Sequence, residues 1–266
     1  MAETKMNVQL IAHTQLSEEF NTMEGNYGLH GLTDEFGASD GQLVALTAIR
    51  TCYSANKPTE IVAKEGAKYF GSKASDGGAG TDADRLFRHI VRSGHSSTLE
   101  HISFTFAIEG VSRALLAQLT RHRVGFSFSV QSQRYVRMGS DDRSGGFDYV
   151  MPPTVAEDKK VDHSPSLDFT HYISAVDHFG DAMEMIQDVY DELRSLGVPA
   201  EDARAVLPNA AATNLVMTAN LTALLSFYSK RKKGRGAQAE ITELAEALRR
   251  EVVVAEPWTD QFFEEV

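Results

Sequence analysis

Residues 101–123 read HISFTFAIEGVSRALLAQLTRHR, and this stretch decides the fold. Ile102, Phe104, Phe106 and Ile108 alternate with Ser103 and Thr105, the period-2 pattern of a half-buried strand. From Val111 the spacing turns helical and is read as a helix through Arg123. A strand running almost directly into a helix is a mixed pattern, and the rest of the chain repeats it. Residues 7–13 (NVQLIAH) predict a further strand, and 41–54 predict a helix with Leu43, Leu46 and Ile49 on one face. Residues 66–83, rich in Gly, Ser, Ala and Asp, predict a mobile loop, followed by a helix near 82–93 that Gly94 stops. Residues 124–147 are polar, glycine-spotted and aromatic and predict loops, and 147–153 predict a strand ended by two prolines.

The second half is read as mostly helical. Over 166–196, Tyr172, Val176, Phe179, Met183, Ile186, Tyr190 and Leu193 recur at steps of 3 and 4, and Gly197 ends the pattern. Pro199 suits the first turn of a short helix that Pro208 stops. Two more helices are predicted at 210–229 and 237–254, separated by the basic run 230–235. The pattern as a whole is α+β, with a modest sheet.

The chain has 266 residues and a formal net charge of −11. An acidic chain does not attract nucleic acid over its whole surface, so anionic ligands need local cationic pockets. The single cysteine, Cys52, excludes an intrachain disulfide and any multi-cysteine metal site. The opening MAETKMNVQLIAHT lacks the pattern of a secretion signal, and no apolar run is long enough to span a membrane. The expected location is the cytoplasm, with no membrane partner.

Four clusters carry candidate chemistry. In the first, Gln118, Arg121 and His122 share one face if 111–123 is a helix, with Arg123 beside them. Two guanidiniums can grip a phosphate in a geometry that lysine cannot copy. Basic residues in a last turn also simply offset the helix dipole, by about 0.3–1 kcal/mol. The second cluster is Ser127, Ser129, Gln131, Ser132, Gln133 and Arg134, a set of hydroxyls and amides that is either a polar surface loop or a wrap for a phosphate or pyrimidine edge. The third, GHSSTLEH (94–101), offers His95, Glu100 and His101 but lacks the HExxH arrangement, so no metal is expected. In the fourth, Asn220 and Arg231 fall about 20° apart on a helical wheel, with Arg204 in a separate short helix. Residues 230–235 place five cations among six positions, a solvated basic segment in part. A nucleic-acid protein would use these cations with Phe126 and Phe128 as stacking platforms. The net charge and the few clustered cations argue against that, and no nucleic-acid partner is expected.

The stretch RHRVGFSFSVQSQRY (121–135) resembles the RHR-x7-S signature of the flavin-dependent thymidylate synthases. AIRTCYS (48–54), GHSSTLEH (94–101), DARAVLP (202–208), the segment around Asn220, AQAEI (237–241) and PWT (257–259) resemble further family segments in the same order. The resemblance implies a single α+β domain over 1–266 with a central antiparallel-type sheet and long helices, insertions near 58–83 and 138–165, and a homotetramer with shared active sites. It implies conversion of dUMP to dTMP, with methylenetetrahydrofolate as carbon donor, reduced FAD as hydride donor and NADPH as reductant. Gln118, Arg121, Ser132, Gln133, Arg134 and Arg204 fall at nucleotide-binding positions. His95, Ser97, Arg121, His122, Arg123, Ser129, Asn220 and Ser226 fall at flavin positions. Arg231 matches the arginine that polarises the uracil, the catalytic role. Such chemistry needs no thiolate, and Cys52 is not read as a nucleophile. The sequence departs from the family at several points. Eight residues, not seven, separate Arg123 from Ser132, with the extra one at Val124 or Gly125. Val130 stands where an acidic or amide residue is common, Thr222 where an arginine is usual, and Ser226 where an asparagine is frequent. One extra residue lies between Arg231 and AQAEI.

Overall fold

The computed structural model describes residues 1–22, 29–162 and 172–266. Strand β1 (Asn7–His13) is followed by helices α1 (Glu18–Thr22), α2 (Leu29–Phe36), α3 (Asp40–Tyr53), α4 (Pro58–Phe70) and α5 (Asp82–Ser93). After a 3-10 turn at Ser96–Leu99 come β2 (Ser103–Ser112), α6 (Arg113–Leu119) and β3 (Phe126–Val130). Short strands β4 (Lys160–Asp162) and β5 (Tyr172–Ser174) pair with each other, and α7 (Ala175–Ser195) and α8 (Ala200–Ala203) follow. The chain closes with β6 (Ala212–Asn220), α9 (Leu221–Arg231), α10 (Ala239–Ala255) and α11 (Asp260–Glu265).

The main sheet is antiparallel in the order β1-β2-β6-β3. Its inner face carries Phe104, Phe106 and Ile108 of β2 and Leu215, Met217 and Ala219 of β6, all buried. That face packs with Leu43, Leu46 and Ile49 of α3, Phe227 of α9, and Ile241, Leu244 and Leu248 of α10 in one core. The opposite face is polar: Thr105 and Thr218 share a hydrogen bond of 2.9 Å across the strands. A second core gathers under α7 around Met138, Phe147, Met183 and Tyr190. Gln187 of α7 accepts from the Phe147 N–H (2.9 Å) and donates to the Met138 carbonyl (2.9 Å). Buried loop backbone needs such partners, so one helix face fixes the 138–147 segment.

The predicted elements differ from these in six places. The segment 210–229 is not one helix: residues 212–220 form central strand β6, and Asn220 caps α9 rather than lying within it. The helix predicted at 111–123 is shorter, because β2 extends to Ser112 and α6 ends at Leu119. The loop predicted at 124–147 contains strand β3. At 147–153 only Tyr149 makes isolated bridges, to Glu3 and Ala211. The long helix begins at Ala175, with Tyr172 in β5, and positions 166–171 lie outside the described residues. Within 66–83, α4 runs to Phe70 and the remaining loop is tied down, with Arg88 bonded to Asp76 (3.0 Å) and to the Ala79 carbonyl (2.9 Å). No helix among the described residues is long and apolar enough to cross a membrane.

Candidate active site

Ser112 ends β2 and caps α6, its hydroxyl accepting from the Leu115 N–H at 3.0 Å. Thr120 closes the helix, its hydroxyl bonded back to the Leu116 carbonyl (2.9 Å). Arg121, His122 and Arg123 therefore sit in a turn, not on the helical face expected with Gln118. The turn separates them. Arg121 and Arg123 are exposed, and Arg123 Nε donates to the Thr120 carbonyl (3.2 Å). His122 points inward, with its ring edge-on to Phe227 at 4.9 Å and 6.1 Å from Phe126. Its Nε2 accepts from Arg231 Nε at 3.4 Å. Burial, then the charges of Arg231, Lys230 and Arg121, hold its pKa below the ordinary histidine value. His122 is thus neutral at pH 7 and available as an acceptor.

A second group surrounds a cavity of about 550 Å³ lined by Arg113, Gln133, Glu201, Asp202, Arg204 and Ala205. Burial and the charge of Arg204 lower the pKa of Arg113, so the two guanidiniums share one field. Neither is ion-paired among the described residues, although Arg204 Nε bonds to the Glu201 carbonyl (3.0 Å). Gln133 is buried, and its Nε2 has no hydrogen-bond partner among the described residues. Two partly buried cations and an orphaned amide donor share this space with the Glu201 and Asp202 side chains, and Glu201 is itself paired with Arg134. Arg134 stands beside it, bonded to Glu201 Oε2 at 2.7 Å and 5.3 Å above the Tyr135 ring. Half-buried Ser132 accepts from the Arg134 N–H (3.2 Å). Arg113 was not singled out from the sequence. Its signal is a cation in the first turn of a helix, the end that repels it.

The third group lines a cavity of about 1020 Å³ between α3, the loop before α1 and the 3-10 turn, with Ser97, Thr98, Cys52 and Asn220 in its walls. Asn220 accepts from the Ala223 N–H (2.8 Å), and its own N–H reaches the Gly125 carbonyl (3.2 Å). Thr222, at the departing position, donates to the Ser96 carbonyl (2.8 Å) and so closes α9 onto the 3-10 turn. His95 lies outside this wall, its Nδ1 2.8 Å from the Tyr53 hydroxyl. Ser129 is exposed on edge strand β3 and Ser226 is exposed on α9, so one chain brings neither into these cavities. Among the described residues no group of three or more His, Cys, Asp or Glu side chains is placed to hold a metal.

Cys52 is exposed, and among the described residues the hydrogen bond of its thiol is to the Ala48 carbonyl at 3.8 Å. No base among the described residues is bonded to it to activate a thiolate. Cys52→Ala is expected to keep most of the activity; a dead variant with its flavin intact would give the thiol a role in the chemistry.

One α+β scaffold thus carries a cavity lined by two arginines and a second, broader cavity. Over residues 35–258 the chain matches the family model described as "Thymidylate synthase complementing protein". It is 46% identical over 167 residues to the flavin-dependent thymidylate synthase of Nitratidesulfovibrio vulgaris, a match spanning 60% of this chain and 59% of that protein. It is 38% identical over 206 residues to the Geobacter sulfurreducens enzyme of the same name, spanning 77% of this chain and 75% of that one. Among solved structures, the UMP/dUMP methylase PolB from Streptomyces cacaoi, bound with 5-Br dUMP, shares the fold. Its TM-score is 0.65 at 22% identity, covering 99% of this chain and 96% of that one. The chain belongs to the flavin-dependent thymidylate synthase family.

Proposed function

We propose that the chain methylates dUMP to dTMP, using FAD, methylenetetrahydrofolate and NADPH, as a cytoplasmic homotetramer whose active sites are shared between subunits. The observation that carries this reading is the pair Arg113 and Arg204, which make no ion pair among the described residues and share a cavity with the orphaned Gln133 amide and the Glu201 and Asp202 side chains. That cavity suits the dUMP phosphate, with Ser132 and Arg134 at its rim. The wide cavity at Ser97 and Asn220 is large enough for a flavin ring, just above the usual size of ligand pockets. Asn220 and Ser97 would hold the ring there, with His95, Ser129 and Ser226 reaching it only across a subunit boundary. When bound, FAD supplies the hydride that completes the methyl group.

The chain's own contribution to the chemistry is electrostatic. Uracil C5 is a poor nucleophile, and a cation beside N3 and O4 stabilises the enolate-like charge that activates it. Arg231 supplies that cation, while neutral His122 receives its Nε–H and fixes its direction. Gln118 and Arg121 complete the nucleotide's surroundings and Arg123 the flavin's. The test is dTMP formation followed by chromatography, with purified protein, dUMP, methylenetetrahydrofolate and NADPH, with and without added FAD. FAD-dependent dTMP with tetrahydrofolate as co-product supports the reading. No dTMP from protein shown to hold FAD overturns it.

A further inference from the structure

One residue away from Arg113, Ser112 is held by a carboxylate that the chemistry above does not use, Glu240, which lines a separate cavity with Ser112 and Gln238. Glu240 is in the first turn of α10, 9% exposed, with no ion-pair partner among the described residues. Its two oxygens accept from Ser112, Oε1 from the backbone N–H at 2.7 Å and Oε2 from the hydroxyl at 2.6 Å. Burying an unpaired carboxylate is costly, and two charge-assisted bonds to one residue offset that cost only if the geometry is held. Ser112 in turn caps α6, and the next residue is Arg113. The first free N–H groups of α6 go to the segment that follows Arg204: Arg113 N–H to the Ala211 carbonyl and Ala114 N–H to the Asn209 carbonyl, both at 3.0 Å. At the far end of the same helix, Gln118 Nε2 donates to Oε1 of Gln238, the residue that precedes α10, at 2.5 Å. The start of α10 therefore grips α6 at both ends.

We propose that Glu240 is a positioning residue of the nucleotide site: by holding Ser112 it sets the start of α6 and places Arg113 opposite Arg204. The inference rests on the reading of the Arg113 and Arg204 cavity as the dUMP phosphate site. Glu240→Gln keeps the volume but removes the charge that strengthens both Ser112 bonds and turns one of its two acceptors into a donor, so the Ser112 hydroxyl must reorient and the hold on the helix start is weakened.

The test is a double-mutant cycle on the flavin-loaded enzyme, with dUMP dissociation constants measured by calorimetry. Glu240→Gln should weaken dUMP binding by about tenfold or more, the scale of one charge-assisted hydrogen bond. KM for dUMP should rise by the same factor, with kcat and flavin content unchanged. In an Arg113→Ala background the same substitution should cost no more than about twofold, because the residue it positions is gone. Equal losses in both backgrounds, or no loss in the wild type, overturn the proposal. If Arg113→Ala alone leaves dUMP binding unchanged, the phosphate reading of the pocket falls, and the positioning role with it. If Glu240→Gln does not fold, Glu240→Asp, which keeps the charge but shortens its reach to Ser112, enters the same cycle with the same two outcomes.

Discussion

Arg231→Ala is expected to retain FAD and bind dUMP but to turn over at least about 100-fold more slowly, the usual effect of removing one preorganised charge from a transition state. Arg231 is the last residue of α9, so its backbone is fixed by the helix while its side chain leaves the helix end. Its Nε is aimed by the bond to His122 Nε2, and His122 is itself held between Phe126 and Phe227. Alanine removes the cation and also takes a donor from His122. Arg231 is the largest charge contribution that lowers the His122 pKa, so without it that pKa must rise towards the ordinary value. NMR titration of His122 should therefore show protonation at a higher pH in the variant than in the wild type. Arg231→Lys should recover little, because a lysine cannot both bond to His122 through Nε and present a planar fork. Normal turnover in Arg231→Ala would remove the activating role. An unchanged His122 titration would remove the electrostatic coupling between the two.

The places where sequence and structure part have identifiable physical causes. ATNLVMTAN (212–220) alternates at Leu215, Met217 and Ala219, but Ala, Leu and Met are also strong helix formers, and a helix follows at once. What makes it a strand is pairing with β2 on one side and β3 on the other, both distant in sequence, and strand preference depends on such neighbours. FSFSV (126–130) shows a clean alternation that the surrounding glycines and polar residues hid. By contrast, β1, α3, α5 and the alternating part of β2 were legible, because each carries its own period and its own stop. The site follows the same division. Arg204, Gln133 and Arg231 could be named from their residue types and motif positions. Arg113 could not, because its meaning depends on β2 ending at Ser112 and on Arg204 arriving opposite from 91 positions further along the chain.

Gly125→Val tests how the long RHR loop is accommodated, and it should be the most damaging substitution outside the core. Gly125 has φ +74°, a conformation in which a β-branched residue is strained. A Cβ there would lie 2.7 Å from the Ala223 Cβ and 2.8 Å from Asn220 Nδ2. Those contacts are with the first turn of α9 and its cap, neither of which can move without breaking the Asn220–Ala223 bond. Left-handed strain of about 1–2 kcal/mol and overpacking of about 1–3 kcal/mol add to roughly 3 kcal/mol of lost stability. In a chain of this size that corresponds to a fall in Tm of roughly 10 °C, readable by circular dichroism. Asn220 would also be displaced from the wall of the large cavity, so flavin retention should fall with stability. The neighbouring Val124 is 88% exposed, and Val124→Ala should change neither. That contrast bears on the extra residue in the loop. If Gly125→Val is damaging and Val124→Ala is silent, the turn has absorbed the added residue as a solvent-facing bulge at Val124. The register of β3 against β6 is then kept, and Ser132, Gln133 and Arg134 arrive where the shorter loop would have put them. A Gly125→Val protein with unchanged melting and flavin content would mean that the turn is free to rearrange and that the loop's register is not fixed here.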